Sequence, residues 1–176
     1  DDAANTPLTA AEIGKLLASD GAADDRFGLS VALAGDTALV GARYDDDNSE
    51  DSGSAYIFTR AGNTWTEQAK LLPSDGAAGD YFGQSVALHG DTALVGAYYD
   101  DDNGGDSGST YVFTRTGDDW TEQAKLTASD GASNDRFGIV SSAGDVNADG
   151  YDDVIVGAYL DDDNGSASGS AYVYLG

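Results

Sequence analysis

The chain is written three times over. Phe27-Gly28, Phe82-Gly83 and Phe137-Gly138 recur every 55 residues, inside the near-identical stretches SDGAADDRFG (19–28), SDGAAGDYFG (74–83) and SDGASNDRFG (129–138). A fixed period of this size means stacked supersecondary units, none of which buries its apolar face alone. We therefore read one module over 1–176, with repeats at about 19–73, 74–128 and 129–176. Architecture follows from what the repeats share, and function from where they differ.

Inside a repeat the apolar period is two. Phe27, Leu29, Val31 and Leu33 alternate with small residues, and Gly35-Asp36 marks a tight turn into Thr37–Ala42. An acidic loop, 44–51, precedes the aromatic and β-branched run Ser54–Arg60; Ala61-Gly62-Asn63 then turns into Thr64–Leu71. Four short antiparallel strands joined by hairpin-length links are the unit of a β-propeller blade. The expected fold is all-β, with three blades per chain. Gly41-Ala42, Gly96-Ala97 and Gly157-Ala158 close the second strand of each repeat, where close approach of backbones calls for glycine.

The two ends complement one another. Thr9-x-x-Glu12 opens a passable helix, but a shift of 55 places Glu12, Lys15 and Leu16 on Glu67, Lys70 and Leu71 of the fourth strand. Residues 8–17 therefore read as a fourth strand, while the third repeat stops after its third strand, at Ala171–Gly176. Propellers hold about 4–8 blades. Two readings stay open: a homodimer that pairs into a six-bladed ring, each N-terminal strand completing the partner's last blade, or a piece of a larger propeller. Leftover edges favour the dimer.

The third repeat carries the one sharp site. From the phenylalanine to the Gly-Ala pair it is longer than the others by six residues, and the insertion reads Asp145-Val146-Asn147-Ala148-Asp149-Gly150-Tyr151-Asp152-Asp153. Phe-Gly, this loop and Gly-Ala in that order resemble the FG-GAP repeat of integrin α-subunit propellers and related bacterial or archaeal surface proteins. The resemblance covers nearly the whole chain. It departs at the last letter, where Arg43, Tyr98 and Tyr159 stand in place of proline, and the calcium loop exists in one repeat of three.

The chemistry of the loop stands beside the resemblance. A calcium ion takes six to eight oxygens, and alternate residues of a tight loop aim inward together. Asp145, Asn147 and Asp149 supply side-chain oxygens at that spacing, Tyr151 its backbone carbonyl, and Asp153 closes the shell. Asp152 is expected to point away and stay solvated. Zinc fits poorly with no cysteine and one histidine, His89, and magnesium demands a stricter octahedron. The competing reading is an ion-free acidic turn, held by hydrogen bonds to its own backbone. The expected calcium affinity is on the order of 10⁻⁴–10⁻³ M.

Charge bounds the partners. With 32 Asp and Glu against 8 Lys and Arg, the formal charge is −24, which repels nucleic acid and anionic membranes and suits cations, basic surfaces and a saline medium. No apolar run approaches the roughly 20 residues of a spanning helix, so membrane insertion is not expected. The opening Asp1-Asp2-Ala3 reads as a mature or excised piece and leaves secretion open. The absence of cysteine says nothing of the redox compartment.

Loops two-to-three and four-to-one share a face, opposite the calcium hairpin. The Asp-Asp-Asp-Asn runs at 45–48, 100–103 and 161–164 therefore meet the Ser-Asp-Gly turns. Either further cations bridge them, through Asp24, Asp45, Asp47 and their counterparts, or the acids are simply solvated. The resemblance implies that this face takes a protein or glycan ligand. No nucleophile elbow or repeated acid–base pair is present, and His89 reads as a solvated turn residue. Trp65 and Trp120 are expected to cover the blade rim, and Glu67 and Lys70 to be surface partners worth little. The resulting expectation is a non-enzymatic, calcium-binding module for scaffolding or adhesion, secreted or at a cell surface. A lectin-like propeller and a cut-down propeller whose whole role is assembly are the alternatives.

Overall fold

β1 (Ser30–Ala34), β2 (Thr37–Ala42), β3 (Ser54–Ala61) and β4 (Thr64–Leu71) form one antiparallel sheet in sequence order. β5 (Ser85–His89), β6 (Thr92–Ala97), β7 (Ser109–Thr116) and β8 (Asp119–Leu126) repeat it. β9 (Phe137–Gly144), β10 (Asp153–Ala158) and β11 (Ser170–Tyr174) make a third sheet of three strands. The structure, a computed structural model, describes residues 11–176, and at 141–143 the backbone alone. Among the described residues there is no helix. The protein is all-β, and its sheets are propeller blades.

The first strand is shorter than its apolar alternation predicts. Arg26 and Gly28 both take positive φ (54° and 91°), which breaks the extended run between Phe27 and Ser30. Residues 8–10 of the anticipated N-terminal strand lie outside the described residues, and 11–17 form no ladder in the single chain.

Packing between blades explains both dipeptide signatures. Phe82 and Phe137 are fully buried, each edge-on to a tyrosine: Phe82 to Tyr111 at 5.3 Å and Phe137 to Tyr172 at 5.5 Å. The glycine that follows meets the glycine of the preceding blade. A Cβ on Gly41 would stand 2.0 Å from the Gly83 carbonyl oxygen, and one on Gly96 1.9 Å from that of Gly138. Ser30 Oγ donates to the Gly83 carbonyl at 2.7 Å, and Ser85 Oγ likewise reaches that of Gly138. Phe-Gly of one blade thus locks into Gly-Ala of the blade before it.

Two apolar layers result. Leu39, Ile57 and Leu71 of the first blade pack against Phe82, Val95, Tyr111 and Phe113 of the second. Leu94 of the second packs against Phe137, Val140, Val154 and Val156 of the third. Each fully buried side chain of this size stabilises by about 1.5–3 kcal/mol.

Candidate functional site

The loop 145–152 joins β9 to β10. Its carboxylates are held by its own backbone. Asp145 accepts from the N–H groups of Asp149 (3.1 Å) and Gly150 (2.9 Å), and Asp149 from that of Tyr151 (2.9 Å). Asp153, buried at the start of β10, accepts from Val146 at 2.6 Å, Asn147 at 3.3 Å and Gly176 at 2.9 Å. These donors, Gly176 first and Val146 next, hold its carboxyl below the ordinary range. Asn147 Nδ2 donates to Asp149 at 2.7 Å, joining the third and fifth loop positions. Gly150, at φ 94°, makes the bend.

All five predicted positions therefore lie in one tight turn whose side chains offer only oxygen and amide groups. Among the described residues, no three carboxylate or imidazole groups stand close enough together to share a metal ion. The donor chemistry suits a hard cation. Asp152 turns away from the loop as expected, and its half-buried carboxylate lies 2.9 Å from His89 Nδ1. His89 is, as expected, an exposed residue at the β5–β6 turn, and it also links that turn to the hairpin.

On the opposite end of the blades, the acidic loops converge on lysines. Lys70 Nζ lies 2.8 Å from Asp20 and 3.0 Å from Asp45, and also pairs with Asp47. Lys125 repeats the arrangement with Asp75 (2.7 Å), Asp100 (2.9 Å) and Asp102 (2.6 Å). The Tyr56 hydroxyl contacts both Asp20 (2.9 Å) and Asp45 (2.6 Å), and Tyr111 does the same with Asp75 and Asp100. Burial alone would raise the Asp45 carboxyl, but the Tyr56 and Lys70 hydrogen bonds outweigh it and the net shift is downward.

In the first two blades the ammonium groups of Lys70 and Lys125 bridge the two loop sets. Asp20 takes the place anticipated for Asp24, and Asp45 is 4% exposed, not solvated. Lys70 is no minor surface partner. Glu67 caps Ser19 through its backbone N–H (2.8 Å) and hydroxyl (2.9 Å), as Glu122 caps Ser74. Trp120 faces the neighbouring blade, its Nε1 donating to Gln68 at 3.2 Å.

Sequence reasoning missed a second feature of this face. Residues just before Phe-Gly and just after Gly-Ala form a belt of tyrosine and arginine. The Arg43 guanidinium stacks on Tyr44 at 4.4 Å, Arg26 on the same ring at 4.7 Å, and Arg136 on Tyr99 at 4.4 Å. Tyr44, Tyr81 and Tyr99 meet edge to face at 5.1 and 4.9 Å. Arg136 also donates to Tyr159 at 3.0 Å, and Tyr98 meets Tyr159 at 6.1 Å. Arg43, Tyr98 and Tyr159 are the three residues that replace the proline of Gly-Ala-Pro, and that departure was the available signal.

Comparison with known proteins agrees with this geometry. The family model described as FG-GAP repeat matches residues 11–58, 65–113 and 120–174. Mouse integrin alpha-2 is 37% identical over 107 residues, 56% of this chain and 9% of that protein. Integrin alpha-PS3 of Drosophila melanogaster is 32% identical over 136 residues, 73% of this chain and 12% of that protein. Integrin alpha-PS2 of the same fly is 32% identical over 160 residues, 78% of this chain and 11% of that protein. The chain spans about a tenth of the length of these relatives. With three matched repeats, interlocked Phe-Gly and Gly-Ala pairs and blade-like sheets, the chain belongs to the FG-GAP repeat family of integrin-α-like β-propeller modules.

Proposed function

We propose that this chain is a calcium-binding, non-enzymatic propeller module that presents its acidic loop face to a protein or glycan ligand, in a secretion or at a cell surface. The observation that carries the reading is the β9–β10 hairpin. Its oxygen donors recur at alternate positions, and backbone N–H groups already hold Asp145, Asp149 and Asp153. Asp145, Asn147, Asp149, the Tyr151 carbonyl and Asp153 would hold the ion. It would supply two positive charges to an acidic turn and bind β9 to β10. Each carboxylate oxygen that accepts one N–H keeps a lone pair for a cation.

The ligand side rests on the tyrosine–arginine belt. In a chain of formal charge −24, three of the eight basic side chains gather there over aromatic rings. Flat rings with guanidinium edges suit a carboxylate-bearing peptide or an acidic sugar. A lectin-like role is the second reading, favoured by the same rings; a glycan array against an adhesion assay separates the two.

Calorimetric titration of chelator-stripped protein tests the metal. One site with a dissociation constant on the order of 10⁻⁴–10⁻³ M is expected, lost in Asp145→Asn/Asp149→Asn. No heat at millimolar calcium contradicts the assignment.

A further inference from the structure

Two departures from the repeat meet in space. His89 closes β5 at a position held by Ala34 in the first repeat and Gly144 in the third, and the 145–152 loop exists only in the third. His89 Nδ1 nevertheless lies 2.9 Å from a carboxylate oxygen of Asp152, 63 residues away along the chain. An ionised carboxylate accepts and cannot donate, so Nδ1 carries the proton of this bond. At the junction of the first two blades, where neither departure occurs, the same place is an open cleft lined by Ala34, Gly35, Gly90 and Asp91.

The backbone fixes both ends of the link. His89 pairs with Thr92 across the β5–β6 turn, where Gly90 takes a positive φ of 52°. That hairpin belongs to a complete four-stranded blade. Asp152 stands between two of the five candidate ligands. The peptide unit joining Tyr151 to Asp152 carries the Tyr151 carbonyl. The next residue, Asp153, is buried and accepts from the N–H groups of Val146 and Asn147. A tether on the Asp152 side chain limits how far that peptide unit rotates, and with it the direction of the Tyr151 carbonyl.

We infer that His89 is a positioning residue for the calcium hairpin. It touches no ion; by holding Asp152 from the neighbouring blade it keeps the Tyr151 carbonyl and the Asp153 carboxylate arranged for one. The inference rests on the calcium reading of the hairpin. Linkage makes the effect mutual: whatever the contact adds to calcium affinity, calcium adds to the contact between the second and third blades. The side chains of His89 and Asp152 are 56% and 21% exposed, so a modest effect is expected.

The experiment is a calcium titration followed by NMR on the loop amides, with hydrogen exchange of the same amides measured in chelator. His89→Ala installs the residue of the first repeat, so the fold is expected to persist. It should weaken calcium binding about three- to fivefold and, without metal, speed exchange of the Val146 and Asn147 amides by a similar factor. His89→Asn should restore both, because its amide nitrogen stands as many bonds from Cα as Nδ1 does. In an Asp152→Ala background His89→Ala should change neither.

A role through charge alone predicts the reverse, since removing a cationic ring beside a calcium ion tightens binding. Unaltered or tighter binding in His89→Ala, unaltered exchange, no rescue by asparagine, or an equal loss in the Asp152→Ala background would overturn the inference and leave the calcium reading standing. A parent protein whose loop amides do not shift at millimolar calcium would overturn that reading and the inference with it.

Discussion

Lys70 and Lys125 show how so acidic a face holds together. Each ammonium sits among three carboxylates with its side chain 16% exposed, and one partner in each set, Asp45 or Asp100, is 5% or 4% exposed at its side chain. Deleting the cation strands a buried carboxylate, which costs roughly 3–5 kcal/mol. The Arg60–Asp36 pair, at 36% and 66% exposure, is worth less than about 1 kcal/mol. Lys125→Ala is therefore expected to lower stability in denaturant titration far more than Arg60→Ala. Asp80 makes the opposite contribution. Burial pushes its carboxyl up to about 6, despite the Ala77 N–H, so it binds its proton more tightly folded than unfolded. Its contribution is favourable below the unfolded value near 3.8 and is lost as pH rises through 6. Asp80→Asn should stabilise the protein above pH 7 by up to about 3 kcal/mol, the gain fading between pH 6 and 4. The three lysines at one repeat position were visible in the sequence. Their partners were not, because Asp20, Asp45 and Asp47 reach Lys70 only when two separate loops cross the same end of the blade.

At the scale of the strand, alternation and turn residues carried most of the information. β2 and β4 run over Thr37–Ala42 and Thr64–Leu71 as their patterns predict, because Gly-Asp and Ala-Gly-Asn turns bound them. The first strand was overread, since positive φ at Arg26 and Gly28 turns the chain there, Leu29 N–H donating back to the Arg26 carbonyl at 3.2 Å, and leaves no mark on apolar periodicity. That residues 145–152 form a tight loop between two strands was equally legible from spacing. The His89–Asp152 link was not, being 63 residues apart along the chain. The Gly-Ala glycines express the strongest constraint on any element. Gly96→Ala drives a methyl into the Gly138 carbonyl, and the backbones must part. Its melting temperature should fall by several degrees or the chain should fail to fold, while Gly105→Ala, where a Cβ meets nothing within 4 Å, should behave as the parent.

For the whole molecule, blade geometry separates two kinds of acidity. Carboxylates at the β2–β3 loops meet lysine and tyrosine, so in the first two blades one ammonium among three carboxylates offsets part of their charge. Those of the β9–β10 hairpin have only backbone N–H and amide donors, and are where the proposed calcium ion would sit. An anomalous difference map from crystals grown in calcium tests this division directly. The account predicts a peak about 2.3–2.6 Å from oxygens of Asp145, Asn147, Asp149, Tyr151 and Asp153, and none at Lys70 or Lys125. An empty hairpin, or calcium displacing those two lysines, would contradict it.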